Sequence, residues 1–203
     1  MVDESRPAET SQAPAVAPGL EGLVAQVKQR PAPPVHDWNP RFCGDIDIRI
    51  ARDGTWYYQG SPITRPAMVR LFSSVLRRDD DGKTYLVTPV EKLGIQVDDA
   101  PFLVVGLGRS GAGADQRLVF RTLTEDVVIA DSDHPIWVEH HRAGGEPTPY
   151  LRIRDRLHGL INRPVFYDLV EIAVEERLDD GTYLGVWSEG SFFPLGRVDE
   201  AAA

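Results

Sequence analysis

One stretch of this chain is written twice. Ile63-Thr64-Arg65-Pro66 opens an apolar-periodic run that ends at Asp80-Asp81-Gly82 and resumes as Tyr85-Leu86; 98 residues further on, Ile161-Asn162-Arg163-Pro164 leads to Asp179-Asp180-Gly181 and Tyr183-Leu184. Between these marks Met68, Leu71, Phe72, Val75 and Leu76 are answered by Phe166, Leu169, Val170, Ala173 and Val174. Both sets fall at i, i+3, i+4, i+7 and i+8, the stripe of a helix buried along one side. Thr64 and Asn162 stand where a helix N-cap is wanted, and proline costs nothing in a first turn, whose N–H groups have no helical partner. The pattern therefore predicts two long helices, each stopped by a DDG turn and followed by a strand. A chain so built is an internal duplication of two related halves, each an antiparallel sheet with one helix.

The surrounding sequence fills in strands. Gly44 to Ile50 alternates strictly, with Ile46, Ile48 and Ile50 on one face and Asp45, Asp47 and Arg49 on the other. Asp53-Gly54 turns it into a second strand carrying Trp56, Tyr57 and Tyr58. Tyr85–Val90 and Leu93–Val97 read as strands, and Asp98-Asp99-Ala100-Pro101 as a seam between the halves. Beyond it, Phe102–Leu107, Leu118–Thr122, Val127–Ala130, Ile136–His140 and Tyr150–Arg154 are strands, Asp155–Ile161 a short helix, and Tyr183–Trp187 and Ser191–Leu195 the closing strands. Strands far outnumber helices and no strand-helix-strand alternation occurs, which predicts an α+β fold and excludes a doubly wound nucleotide fold. The expected organisation is residues 1–34 as a disordered tail with a short helix at 19–30, residues 35–98 as a first α+β domain and residues 99–198 as a second.

Charge and composition narrow the function. With 31 acidic against 22 basic side chains the net charge is −9, which argues against nucleic-acid binding, since that requires a basic surface to displace counterions. No apolar run reaches the ~18 residues of a spanning helix, so no membrane insertion is expected. The single Cys43 has no intrachain partner, and a reducing cytoplasm is the expected compartment.

Several of these words carry a family resemblance. Trp38-Asn39-Pro40, Gly44-Asp45-Ile46-Asp47, Asp53-Gly54-Thr55-Trp56, Gly60-Ser61-Pro62-Ile63, Leu86-Val87-Thr88-Pro89-Val90-Glu91-Lys92 and Val97-Asp98-Asp99-Ala100-Pro101-Phe102 resemble the uncharacterised proteobacterial family known as domain of unknown function 1285. The resemblance spans about residues 35–197. It implies a duplicated core, a second half similar to a pleckstrin-homology domain, and a binding site at the domain interface, with a nucleotide-like ligand and a role in signalling.

The residues themselves point to an anion. Arg65 and Arg163 place a cation in a helix's first turn, against the macrodipole, which calls for a negative partner. Either an acidic side chain or an anionic ligand meets that need, the ligand drawing also on open helix N–H groups. Thr88, Glu91 and Lys92 interrupt an apolar strand pair beside the seam, where they line a cleft or form a solvated turn. Arg152 and Arg154 share a strand face, where like charges call for an acid or a phosphate opposite. In the ligand reading, Arg65 and Arg163 clamp the anion, Lys92 and Arg152 add charge, Ser61, Thr88 and Glu91 line the site, and Trp56 or Trp38 is a stacking wall. Asp45 and Asp47 are too few for a hard-cation site, and five histidines fall at no zinc spacing. The Gly106–Gly113 loop lacks the lysine and helix of a phosphate loop, and no nucleophile elbow occurs. The reading is a non-enzymatic protein with an interdomain cleft for a small anionic ligand, without cofactor; the alternatives are a module docking a protein partner, through its second half and the 19–30 helix, or a hydrolase.

Overall fold

The structure is a computed structural model that describes residues 33–139 and 145–198; the tail and the helix expected at 19–30 lie outside the described residues. In the first half, strands β1 (Phe42–Ile50), β2 (Trp56–Tyr58) and β3 (Ser61–Pro62) precede helix α1 (Pro66–Ser74), and β4 (Leu76–Arg78), β5 (Thr84–Val87) and β6 (Lys92–Val97) follow it. They form one six-stranded sheet in the order β3-β2-β1-β6-β5-β4. The predicted hairpin is present, with Ile48 opposite Tyr58 and Ile50 opposite Trp56. Its turn uses Gly54 at φ +82°, where a Cβ would also stand 2.9 Å from Leu123 of the other half, so the turn is both left-handed and closely packed.

The second half carries β7 (Phe102–Ser110), β8 (Arg117–Thr122), β9 (Val127–Ile129), β10 (Ile136–Glu139), β11 (Thr148–Arg154) and β12 (Leu157–Ile161), a six-stranded sheet in the order β10-β11-β12-β7-β8-β9. Helix α2 (Arg163–Glu171) follows, then β13 (Val174–Leu178), β14 (Gly181–Ser188) and β15 (Ser191–Arg197) as a three-stranded sheet. The fold is α+β, mostly sheet with few helices. The helix-strand-DDG-strand-strand unit recurs in both halves, as the duplication requires.

Three local expectations are corrected. Each repeated helix has nine residues and stops well before the DDG; the end of the apolar stripe, Leu76 and Val174, is a strand that pairs back across the DDG turn with Leu86 and Gly185. In the first copy Ser73 and Ser74 donate their hydroxyls to the carbonyls of Arg70 and Leu71, at 3.0 and 2.7 Å, competing with the helical ladder where it ends. Asn162 does cap α2, its Oδ1 accepting from the Val165 N–H at 3.0 Å, but Arg65 rather than Thr64 is the N-cap of α1 and offers no side-chain bond. Residues 157–161 are strand β12, not helix, entered through a turn in which Asp155 has φ +46°. This strand pairs parallel with β7 and its leucines and isoleucine are buried; a run apolar on both faces has no amphipathic period to tell strand from helix. The β1–β6 pair is parallel as well, so neither six-stranded sheet is purely antiparallel. The chain between β1 and β6 passes through α1 and a hairpin, long enough for the crossover that parallel pairing needs.

One apolar core runs through both halves: Ile48, Ile50, Trp56, Leu76 and Leu86 join Phe102, Val104, Phe120, Leu151, Leu169 and Val186 in a single cluster. Polar contacts sew the same seam. Arg154 of β11 donates Nη1 to Asp126 Oδ1 at 2.9 Å, donates Nη2 to the Ser73 carbonyl at the end of α1, and lies with its guanidinium 5.0 Å from the Phe102 ring centre. A cation here satisfies an orphan carbonyl and faces the negative end of the helix. Asp126 in turn accepts from the hydroxyls of Thr122 and Thr124. Removing the guanidinium strands a largely buried carboxylate and a helix-end carbonyl, so Arg154→Ala is expected to lower unfolding free energy by about 3 kcal/mol, measured by urea denaturation, with Arg154→Lys recovering only part.

Candidate interdomain binding cleft

The repeated DDG turn puts the first copy's charges at the domain seam. Between Leu76 and Gly82 the chain reads Arg77-Arg78-Asp79-Asp80-Asp81, and the β11–β12 turn opposite reads Asp155-Arg156. With His36 and Leu157 these residues line a cleft of about 610 Å³, walled by β4 and its turn on one side and by the second half on the other.

Its charges are unequally engaged. Arg77, largely buried, grips Asp79 with Nε and Nη2 at 2.6 and 3.2 Å, and its Nη1 donates to the carbonyls of Val35 and Trp38 at 3.0 and 2.7 Å. Lys92 reaches Asp79 at 3.0 Å, its ammonium 4.4 Å from the Tyr85 ring centre. Hydrogen bonding from Arg77, then from Lys92, holds the Asp79 carboxyl below its ordinary 3.8 against the opposing effect of burial. Asp81 accepts from the Tyr85 hydroxyl at 2.6 Å and from the Lys83 N–H. That carboxylate beside the phenol pushes the Tyr85 pKa up to about 12. Two of the four aspartates are thus saturated by partners of their own half.

The contacts across the cleft are looser. Arg156 pairs with Asp80, and His36 Nε2 lies 2.9 Å from Asp155 Oδ2. Their side chains are 59% and 89% exposed in the first pair and 52% and 48% in the second, so solvent screens both and each contributes little to stability. Arg78 spends one donor, Nε, on the Gly82 carbonyl at 3.1 Å. His158 stands in an aromatic cluster with Tyr150 and Trp137, ring centres 5.3 and 5.7 Å away. Burial, reinforced by the Arg78 charge, lowers the His158 pKa, with Asp99 and Glu139 acting the other way.

None of the residues given a role in the ligand reading of the sequence lines this cleft. Arg65 is exposed at the start of α1, and Arg163, exposed, pairs with Glu146. Trp56 is 2% exposed and stacks on Phe72 in the core, so it is not a stacking wall; Trp38 is half-buried. Thr88 organises the β5–β6 turn, its Oγ1 accepting from the Glu91 N–H at 3.2 Å, and Glu91 is exposed there. Ser61 is exposed on edge strand β3 and Arg152 is exposed on β11. Lys92 comes nearest, bonded to the cleft aspartate Asp79. The sequence signal for this candidate cleft is the run of five consecutive charges beside a repeated turn, together with Arg154-Asp155-Arg156. Among the described residues, no group of three or more His, Cys, Asp or Glu could hold a metal ion, and no helix is long and apolar enough to cross a membrane.

Fold and site define a two-lobed, mostly β-sheet protein with a polar cleft at the seam. Family comparison is more specific: residues 33–100 match the N-terminal domain, and residues 101–195 the C-terminal domain, of the DUF1285 proteins of unknown function. The chain belongs to that family. It is similar to the crystal structure of a DUF1285 family protein from Silicibacter pomeroyi DSS-3, at 51% identity over 90% of this chain and 98% of that one, with a TM-score of 0.78. It is also similar to a DUF1285 family protein from Shewanella baltica OS155, at 28% identity over 61% of this chain and 90% of that one, with a TM-score of 0.49. No curated protein matches.

The depressed His158 pKa has a stability consequence. Unfolding exposes an imidazole that binds a proton more readily, so stability is full above its ordinary 6.5 and is lost as pH falls toward the folded value. Thermal melts from pH 7.5 to 5 are expected to show Tm declining below about pH 6.5, with a shallower decline in His158→Gln.

Proposed function

We propose that this protein is a non-enzymatic binding protein whose interdomain cleft receives a small anionic ligand carrying phosphate or carboxylate. The observation that carries the reading is the asymmetry of the cleft charges. Asp79 and Asp81 are satisfied by Arg77, Lys92, Tyr85 and Lys83, whereas among the described residues Arg156 is held by an exposed aspartate and Arg78 by one carbonyl. An exposed ion pair is worth about 0–1 kcal/mol; charge-assisted hydrogen bonds to an anion are worth about 1.5–3 kcal/mol each. An incoming anion therefore displaces Asp80 from Arg156 at little cost. His36 supplies a third donor, from outside both sheets.

The cleft volume of about 610 Å³ lies within the roughly 300–1,000 Å³ of small-molecule sites, and a nucleotide is the ligand type proposed first. Six strands ahead of α2 support reading residues 99–198 as a pleckstrin-homology-like unit and the protein as a signalling component of the cytoplasm. The acidic balance supports a role away from nucleic acid.

Thermal shift against a nucleotide panel and inorganic phosphate tests the reading. A ligand that raises Tm is expected to lose about tenfold or more in affinity, by calorimetry, in Arg78→Ala/Arg156→Ala, and to bind Arg65→Ala as it binds the natural chain. Unchanged affinity in the double variant would remove the cleft from consideration.

A further inference from the structure

The two copies of the repeat differ most in what covers the strand after the helix. In the first copy Leu76 is fully buried, and the neighbouring Arg77 holds the carbonyls of Val35 and Trp38, so the turn at 35–37 is held against edge strand β4. The β11–β12 turn closes over the same strand from the second half, with Arg154 on the Ser73 carbonyl and Arg156 on Asp80. In the second copy the counterpart of Leu76 is Val174, which is 47% exposed. The counterparts of Arg77 and Arg78 are Glu175 and Glu176. Among the described residues β13 pairs only with β14, leaving the outer edge of the three-stranded sheet open.

That edge is apolar and acid-rimmed. Tyr167 and Val170, one turn apart on the outer face of α2, are exposed, as are Val174 and Leu178 on one face of β13. Residues 167–180 hold six acidic side chains against the single cation Arg177. An exposed strand edge carrying valine and leucine is a template for another strand. A second copy of this chain would bring the same acidic strip against itself, and like charges opposed across strands repel.

We infer that the α2–β13 surface docks a basic, extended segment of a separate protein, which adds to β13 as a further strand. Its apolar side chains pack on Val174, Leu178, Tyr167 and Val170, and its lysines or arginines meet Glu176, between Val174 and Leu178 on one face of β13, and Glu175 on the other. In the first copy the equivalent strand is covered within the chain, by the turn at 35–37 and by arginines of both halves. In the second copy the charge is reversed, so the cations come from the partner.

Fluorescence anisotropy of a labelled decapeptide repeating Val-Val-Arg-Arg, which alternates valine and arginine along each face of a strand, titrated with the full-length chain, tests this. Binding is expected, and Glu175→Lys/Glu176→Lys is expected to weaken it by about fivefold or more, Val174→Asp comparably. The control Asp37→Lys/Asp47→Lys, with the same change in net charge away from this surface, is expected to stay within about twofold, since screening confines the effect to near neighbours. Circular dichroism confirms that each variant is folded. Failure of the folded full-length chain to bind overturns the inference, as does equal weakening by the control. A self-association that Val174→Asp abolishes, read by sedimentation, also overturns it by making the surface an interface between copies.

Discussion

The Arg154 guanidinium is the contact on which the arrangement of the two halves depends. It ties a carboxylate of the second half to the last turn of the first half's helix while lying over Phe102, at the first residue of β7. Its position as the last residue of β11, directly before the β11–β12 turn, fixes where Asp155 and Arg156 emerge. The cleft exists because that turn is held against β4 without filling the space beside it. Asp126, fixed by two threonine hydroxyls, keeps the guanidinium aimed, so a polar network specifies a seam that the apolar core alone would leave free to slide.

Duplication explains why the two ends of the molecule are chemically unlike. The same helix-turn-strand unit serves as an inner wall in the first copy and as an outer edge in the second. Where it is inner, its strand carries Leu76, Arg77 and Arg78 and is covered; where it is outer, it carries Val174, Glu175 and Glu176 and is open. A repeated backbone unit conserves geometry, and each copy's side chains answer to its own surroundings. The seam therefore sets arginines against aspartates, whereas the rim of the second copy is a carboxylate strip.

Much of the fold was legible in local pattern. Strict alternation over Gly44–Ile50 places Ile48 and Ile50 in the core, Asn162 caps its helix, and both DDG words are turns. The helix lengths were not legible, because Leu76 and Val174 sit at positions where a helical stripe and a strand that pairs across a hairpin call for the same residue types. Strand β12 was hidden for a related reason, being apolar on both faces. The site was less legible still. Arg65 and Arg163 are conspicuous for opposing a helix dipole, yet neither lines the cleft, and Arg163 pairs with Glu146. Trp56 looked like a ligand wall and is core, since aromatic area goes first to packing.

What the amino-acid order determined by itself was the repeat, the α+β class, the hairpins and the acidic balance, because periodicity, turn chemistry and charge act over a few residues. The tertiary structure alone decided the parallel pairings of β1 with β6 and β7 with β12, the placing of Arg154 on the end of α1, and the burial of one copy's strand beside the exposure of the other's. Those outcomes depend on segments distant in the chain meeting in space, and no short-range pattern records which partner arrives.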